Sequence, residues 1–217
     1  MKAILFGATG MVGQAVLGEC LRDDTVTSVL SIGRSASGRN RPKLRELTQK
    51  DLATVDVPDA EFAGYDACFF CLGVSSAGMS EAEYTRLTYD LTLAWARVLA
   101  RVNPGMAFLY VSGAGTGGKS MWAQVKGRTE AALLGLFPAA YMVRLAMLRP
   151  VHGEVSKTRW TRIAYKIFGP IAPLIEAVAP SMVITTEELG KAMIRAARER
   201  PPTHVLEMRD LHALALG

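Results

Sequence analysis

Three glycines spaced by three, Gly7, Gly10 and Gly13, follow the apolar run Ala3-Ile-Leu-Phe6 and lead into an amphipathic stretch. The pattern predicts a strand, a tight turn and a helix start. Such a start offers unpaired backbone N–H groups, and the positive end of a dipole, to an anion. Gly7 permits the turn, Gly10 lets backbone amides approach a phosphate, and Gly13 lets helix and strand pack closely. With Thr9, Met11 and Val12 they form the expected seat of a dinucleotide pyrophosphate.

The next chemical signal ends the second apolar run, Ser31-Ile-Gly33-Arg34-Ser35. An acidic residue here would accept bonds from a ribose 2′-hydroxyl, whereas a guanidinium with a neighbouring hydroxyl suits a 2′-phosphate. NADP(H) is therefore expected over NAD(H). Arg39, Arg41, Lys43 and Arg45 follow closely, as a solvated loop or as further attraction for an anionic cofactor. A competing motif, Gly113-Ala-Gly-Thr-Gly-Gly118-Lys119-Ser120, matches the Walker A pattern letter for letter and would make the chain a P-loop ATPase. That reading also needs an acidic residue ending a neighbouring strand to hold Mg²⁺. The next strand ends in Arg144, and Asp66 precedes its strand instead of ending it.

The elements that must position these residues are legible as alternation. Strand-like runs recur at 2–6, 26–32, 67–72, 106–112 and 139–145, with helical patterns between several of them. This predicts an α/β fold, a doubly wound parallel sheet covered by helices. Ser80-Glu-Ala-Glu83 is a capping box opening a helix with the stripe Tyr84, Leu87, Leu91, Trp95, Val98 and Val102, stopped by Asn103-Pro104-Gly105. A second box, Thr185-Thr-Glu-Glu188, starts a helix through Ala196. Beyond Pro150 the texture changes, with Gly169-Pro170, Pro173 and Pro180 among apolar residues over 151–184. The expected organisation is a dinucleotide-binding domain over 1–150 and a small C-terminal substrate lobe over 151–217 packed on it as one unit. Over 159–168, Trp160, Ile163 and Ile167 share one helical face and Arg159, Arg162 and Lys166 another. That stripe either packs on its own domain or makes a weak contact with a membrane surface or another subunit.

Bulk properties exclude several classes. A formal charge of +5 over 217 residues, without a long basic tract, argues against nucleic acid as a partner. Glycines interrupt the first apolar run and Glu19 precedes Cys20, which excludes an export signal. No run approaches the ~20 apolar residues of a membrane span. Three cysteines suit a reducing compartment, and a cytoplasmic location is expected. Cys68 and Cys71 imitate a redox CxxC, but three residues apart on a strand they face opposite ways and should not pair. Three scattered histidines offer no metal site, and His152 is expected to be structural.

Taken together, these residues resemble the short-chain dehydrogenase/reductase superfamily, in its atypical, extended-like branch, over nearly the whole chain. Gly7-Ala-Thr-Gly10-Met-Val-Gly13 matches the glycine pattern of that branch and Gly33-Arg34 its NADP-type second strand. Asp51-Leu52 matches the acidic–apolar pair beside adenine, and Cys71-Leu72-Gly73 the segment after the fourth strand. Tyr110-Val-Ser112-Gly matches the fifth strand, whose terminal serine normally touches substrate. Gln124-Val-Lys126-Gly127, with Glu130, is similar to the helix carrying the family lysine, most like small epimerase-like and NADPH-binding TIP30-like proteins. The resemblance implies a Rossmann fold, Lys126 on the nicotinamide ribose, and oxidation–reduction or epimerisation of an unidentified small carbonyl or hydroxyl compound.

One position departs from the family. Active members carry a tyrosine four residues before the lysine, one turn away on the same helix face. Here that residue is Trp122, whose indole N–H donates a hydrogen bond but is no general acid at neutral pH. The expected role of Trp122 is packing beside the nicotinamide, with Tyr84, Tyr89 and Tyr165 as candidate substitutes in space. Ser112 and Lys126 also have plain alternatives, a loop cap and a solvated helix residue. The rival functional reading is an NADP(H)-binding regulatory or sensor protein without turnover.

Overall fold

Ile4 and Phe6 face one side of strand β1 (Lys2–Phe6), Ala3 and Leu5 the other, and all four are inaccessible to solvent. A strand buried on both faces belongs inside a sheet covered by helices on both sides. The computed structural model describes residues 1–154 and 182–217 and shows that arrangement. The strands are β1, β2 (Ser28–Gly33), β3 (Leu44–Thr48), β4 (Ala67–Phe70), β5 (Ala107–Val111), β6 (Ala139–Val143), β7 (Met147–Arg149), β8 (Val183–Thr185) and β9 (Val205–Leu206). The main sheet runs β3-β2-β1-β4-β5-β6-β9, with every neighbouring pair parallel, and β7 pairs with β8 separately. Strand order reverses between β1 and β4. At that switch point the loops leaving the carboxyl ends diverge and open a crevice.

The residues of each strand divide between two apolar layers. On one side Leu5, Val29, Phe69 and Leu109 pack against helices α1 (Met11–Arg22), α5 (Thr186–Glu199) and α6 (Met208–Leu216). On the other, Ile4, Phe6, Phe70 and Phe108 pack against α3 (Leu91–Val102) and α4 (Met121–Leu136). Cys68 lies in the second layer and Cys71 borders the first, and the cysteines are unpaired. Burial pushes the Cys20, Cys68 and Cys71 thiols up, so they stay protonated as core residues.

Both predicted capping boxes form. The Ser80 hydroxyl accepts the Glu83 amide at the start of α2 (Glu81–Thr85), and the Thr185 hydroxyl accepts the Glu188 amide at the start of α5. A third box, Glu207 with Asp210, opens α6. The predicted stripe after Ser80 is interrupted, because α2 reaches α3 through a π-helical turn over Arg86–Asp90. The extra residue rotates the buried face toward Tyr84, Thr88, Thr92, Trp95 and Leu99, and leaves Leu87, Leu91 and Val98 half-buried. Asn103 ends α3 as expected and does more. Its side-chain oxygen accepts the Gly64 and Tyr65 amides while its Nδ2 donates to the Phe62 carbonyl, tying the 62–65 segment to the end of α3.

Arg34, Arg39, Arg41 and Lys43 of the basic cluster lie in a loop, and Arg45 lies in strand β3. Leu44 and Leu47 are half-buried, whereas Arg45 and Thr48 are exposed, as suits the edge strand of a sheet. Within the expected C-terminal lobe, α5 and α6 lie on the α1 side of the main sheet. Residues 155–181, including the 159–168 stripe and Tyr165, lie outside the described residues. Among the described residues, no helix is long and apolar enough to cross a membrane.

Candidate functional site

Gly7 adopts φ +83°, and a methyl group there would sit 2.7 Å from the Cys71 carbonyl oxygen. A side chain at Gly13 would drive into the Gly7 carbonyl. The two glycines therefore let the β1–α1 turn fold against the end of β4. Gly10 is the N-cap of α1, and its own amide closes the turn onto the Gly7 carbonyl at 2.9 Å. No side chain caps this helix, and its first turn holds no acidic residue. The Met11, Val12 and Gly13 amides thus stand at an uncapped, electrically positive helix start. Gln14 reaches back to the Thr9 carbonyl at 3.0 Å and braces the turn.

A pocket of about 110 Å³ opens beside this turn, lined by Gly7, Ala8, Thr9, Ser31, Gly33, Arg34, Ser35, Leu52 and Leu72. The residues come from four segments that are distant in sequence, one of them the end of β2. Arg34 and Ser35 are exposed at its edge, where the chain leaves β2. The Glu46 carboxylate on β3 accepts the Ser37 amide at 2.7 Å and so fixes the loop that carries them. Leu52 is held by α3, because the fully buried Trp95 donates its indole N–H to the Leu52 carbonyl at 2.8 Å. Asp51 is exposed and turns its carboxylate onto the Ala53 amide at 2.8 Å. Cys71 contributes the carbonyl under Gly7, and Gly73 is exposed with open space where a side chain would stand.

The second cluster lies where β5 gives way to α4. The Lys126 ammonium donates to the Val111 carbonyl at 3.2 Å and sits 5.3 Å from the centre of the Tyr110 ring. Burial in these surroundings lowers its pKa to about 8, while the Glu130 carboxylate pulls the other way. Ser112 is only 8% exposed, and its hydroxyl donates to Glu130 Oε1 at 2.6 Å. The other neighbouring group, the Val143 carbonyl at 3.5 Å, is an acceptor too. The single Ser112 proton is therefore committed, and Ser112 can offer a ligand only lone pairs. Glu130, 4% exposed, is bound through both oxygens by Arg144, at 3.2 and 2.6 Å, and Arg144 continues to Glu207 at 3.1 Å.

Trp122 is half-buried and its indole rests on the loop before α4, 3.8 Å from where side chains at Gly113 and Gly115 would begin. Of the candidate substitute phenols, Tyr84 is 2% exposed, and burial raises both its pKa and that of Tyr110. Tyr89 is half-buried. His152 is remote from this cluster, pairing with Glu187 at 3.2 Å beside α1. Glu130 and Arg144 were not read as site residues from the sequence. The available signal was Glu130 one helical turn after Lys126 on the same face.

The Walker-like loop turns its amides inward. Gly113 N–H bonds Thr116 Oγ1, Ala114 N–H the Leu145 carbonyl, Thr116 N–H the Gly113 carbonyl, Gly117 N–H the Ala123 carbonyl, and Gly118 N–H the Gly115 carbonyl. Donors engaged in this way are not a phosphate cradle.

Known structures share this arrangement of strands and helices. A UDP-N-acetylglucosamine 4-epimerase from Methanobrevibacter ruminantium, solved with UDP-N-acetylmuramic acid, matches with a TM-score of 0.66 at 16% identity, over 94% of this chain and 74% of that one. The Bordetella bronchiseptica enzyme WbmG, solved with NAD, matches at 0.67 and 12% identity, over 100% of this chain and 77% of that one. The PhqB reductase domain of Penicillium fellutanum matches at 0.65 and 18% identity, over 94% and 65%. This chain has their Rossmann-type fold. At these identities the likeness is one of Rossmann architecture. By sequence, leucinostatins biosynthesis cluster protein T of Purpureocillium lilacinum is 29% identical over 115 residues. The match spans 52% of this chain and 42% of that protein. No protein-family profile matches the chain.

Proposed function

We propose that this chain binds NADP(H) in preference to NAD(H) and acts as an oxidoreductase or epimerase-like enzyme on a small carbonyl or hydroxyl compound. The observation that carries the reading is the convergence of Gly7, Thr9, Arg34, Ser35, Leu52 and Leu72 on one pocket beside the uncapped start of α1. In this reading the Gly10, Met11 and Val12 backbone takes the pyrophosphate and Gly13 keeps the helix close enough to do so. Arg34 and Ser35 take the 2′-phosphate, and Asp51 and Leu52 flank the adenine. Cys71, Leu72 and Gly73 border the path toward the nicotinamide, whose ribose Lys126 holds. The cofactor supplies hydride transfer; the chain supplies binding and orientation, with Ser112 accepting a hydrogen bond from a substrate hydroxyl. The likeness to the epimerase-like, TIP30-like branch and a cytoplasmic location belong to the same proposal.

Titrating the protein with NADPH and NADH by calorimetry tests it, with Arg34→Ala alongside. NADPH is expected to bind more tightly than NADH, and the variant to lose about tenfold for NADPH with little change for NADH. Equal affinities in the parent would remove the 2′-phosphate assignment, and no binding of either at millimolar concentration would remove the whole reading. The cofactor-loaded protein is then offered carbonyl compounds and nucleotide sugars, the latter because the epimerase of like fold was solved with a UDP-sugar.

A second reading has its own support. With Trp122 at the phenol position, Tyr84 and Tyr110 buried and the Ser112 proton given to Glu130, this cluster offers no proton donor beyond the Lys126 ammonium, which the cofactor reading commits to the ribose. A protein that binds NADP(H) to sense or signal, without turnover, needs none. Trp122→Tyr separates the two: turnover gained only in the variant indicates a retired enzyme, and turnover in the parent rules out the sensor.

A further inference from the structure

Buried carboxylates are costly unless several partners share them, and a chain that keeps one beside a half-buried lysine has placed two linked charges where water screens them poorly. Glu130 and Lys126 stand one turn apart on α4, yet the ammonium turns to the Val111 carbonyl and the carboxylate to Ser112 and Arg144. Each head group is bonded elsewhere, and across the one turn that separates them the two charges act on one another through space. Resting on the cofactor reading above, we propose that Glu130 is a positioning residue for the dinucleotide site. It keeps Lys126 in the protonated form that grips the ribose hydroxyls and locks the Ser112 hydroxyl proton, so cofactor occupancy varies with pH.

The charged and titratable groups around Lys126 bear this out from every side. Tyr110 on β5 lies beneath the ammonium, and Tyr84 on α2 lies close enough to Tyr110 to raise its pKa further. Both phenols are raised by burial and so stay neutral near pH 8. Arg144, after β6, carries the same charge as Lys126 and is balanced by Glu130 and, farther out, by Glu207. The Arg128–Glu81 pair lies at the surface between α4 and α2. Among these groups Glu130 is the anion that acts on Lys126, offsetting the burial that brings it down to about 8. Removing that anion frees the Arg144 charge as well, so the lysine would lose its proton at lower pH.

NADPH affinity is therefore measured from pH 6 to 9.5 at constant ionic strength in the parent, Glu130→Gln and Lys126→Arg. The parent should weaken about fivefold as pH rises through the lysine midpoint, because a neutral amine makes weaker bonds than an ammonium. In Glu130→Gln the midpoint should fall by about one pH unit. Lys126→Arg should lose the fall through the lysine midpoint, since arginine stays charged. It should keep only the change below about pH 7 that the 2′-phosphate, with a second pKa of about 6, brings to every variant. An unchanged midpoint in Glu130→Gln, or equal weakening at every pH, would overturn the proposal. If the glutamine variant does not fold, Glu130→Asp keeps the charge at longer reach and should lower the midpoint by less, and an unchanged midpoint again overturns it. If the folded parent binds neither NADPH nor NADH, the cofactor reading fails. The Glu130–Lys126 coupling is then read from the NMR titration of the Lys126 ε-carbon, assigned with Lys126→Arg, and stands or falls by the same shift.

Discussion

Two glycine-rich loops in this chain each join a parallel strand to a helix, and they differ in where their amides point. At Gly7–Gly13 the turn spends one amide on itself and leaves the start of α1 uncapped. At Gly113–Gly118 five amides find acceptors in the protein, and the indole of Trp122 lies across the loop. The second loop has the better motif and the first the better cradle. What an anion reads is the number of donors left unpaired at a helix start, which no pattern of letters reports.

Substitutions can break this contrast. Gly13→Ala should have the largest effect, because the new methyl meets the Gly7 carbonyl in a place that cannot yield without opening the turn. A loss of roughly 2–4 kcal/mol in denaturant unfolding, together with loss of NADPH binding, is expected. Gly10→Ala separates stability from binding. Its methyl would meet only the Gly7 oxygen, at an ordinary 3.5 Å, so apo stability should change by less than about 1 kcal/mol. NADPH affinity should nevertheless fall about tenfold, because the methyl stands where a phosphate approaches. Unaltered affinity would mean that the pyrophosphate does not lie over Gly10. Lys119→Ala should do least: NADPH affinity within about twofold of the parent, and no ATP binding detectable by calorimetry before or after. ATP bound by the parent and lost in the variant would reverse the assignment of the two loops.

The sheet was legible because its five central strands are short apolar runs with strong turns between them. The edges were not. β3 alternates weakly and carries Arg45 and Glu46, and β9 has only two residues, so neither rises above its surroundings. The buried face of α3 was partly hidden because Thr88 and Thr92 contribute to it across a π-helical turn that shifts the register. Candidate cofactor residues were readable because they cluster in short segments whose backbone conformation dictates residue type. The Ser112–Glu130–Arg144 network was not, since three polar residues drawn from β5, α4 and the end of β6 meet only after the sheet is assembled. Its consequence, that Ser112 offers lone pairs alone, depends on a partner 18 residues away.

The contact between α1 and α5 has a temporal side. Gly190 on α5 sits so close to the Glu19 side chain on α1 that any larger residue would collide with it. The strands β1 to β6 and the α3–α4 layer are complete once residue 143 has been made, whereas α5 and α6, which among the described residues join α1 on the opposite face, follow later. During synthesis the part of α1 that meets α5 must wait for more than 40 further residues, counted from Val143 to Thr186. The nascent protein thus passes through a half-clothed stage in which one layer is finished and the helix behind the glycine turn still lacks its α5 neighbour.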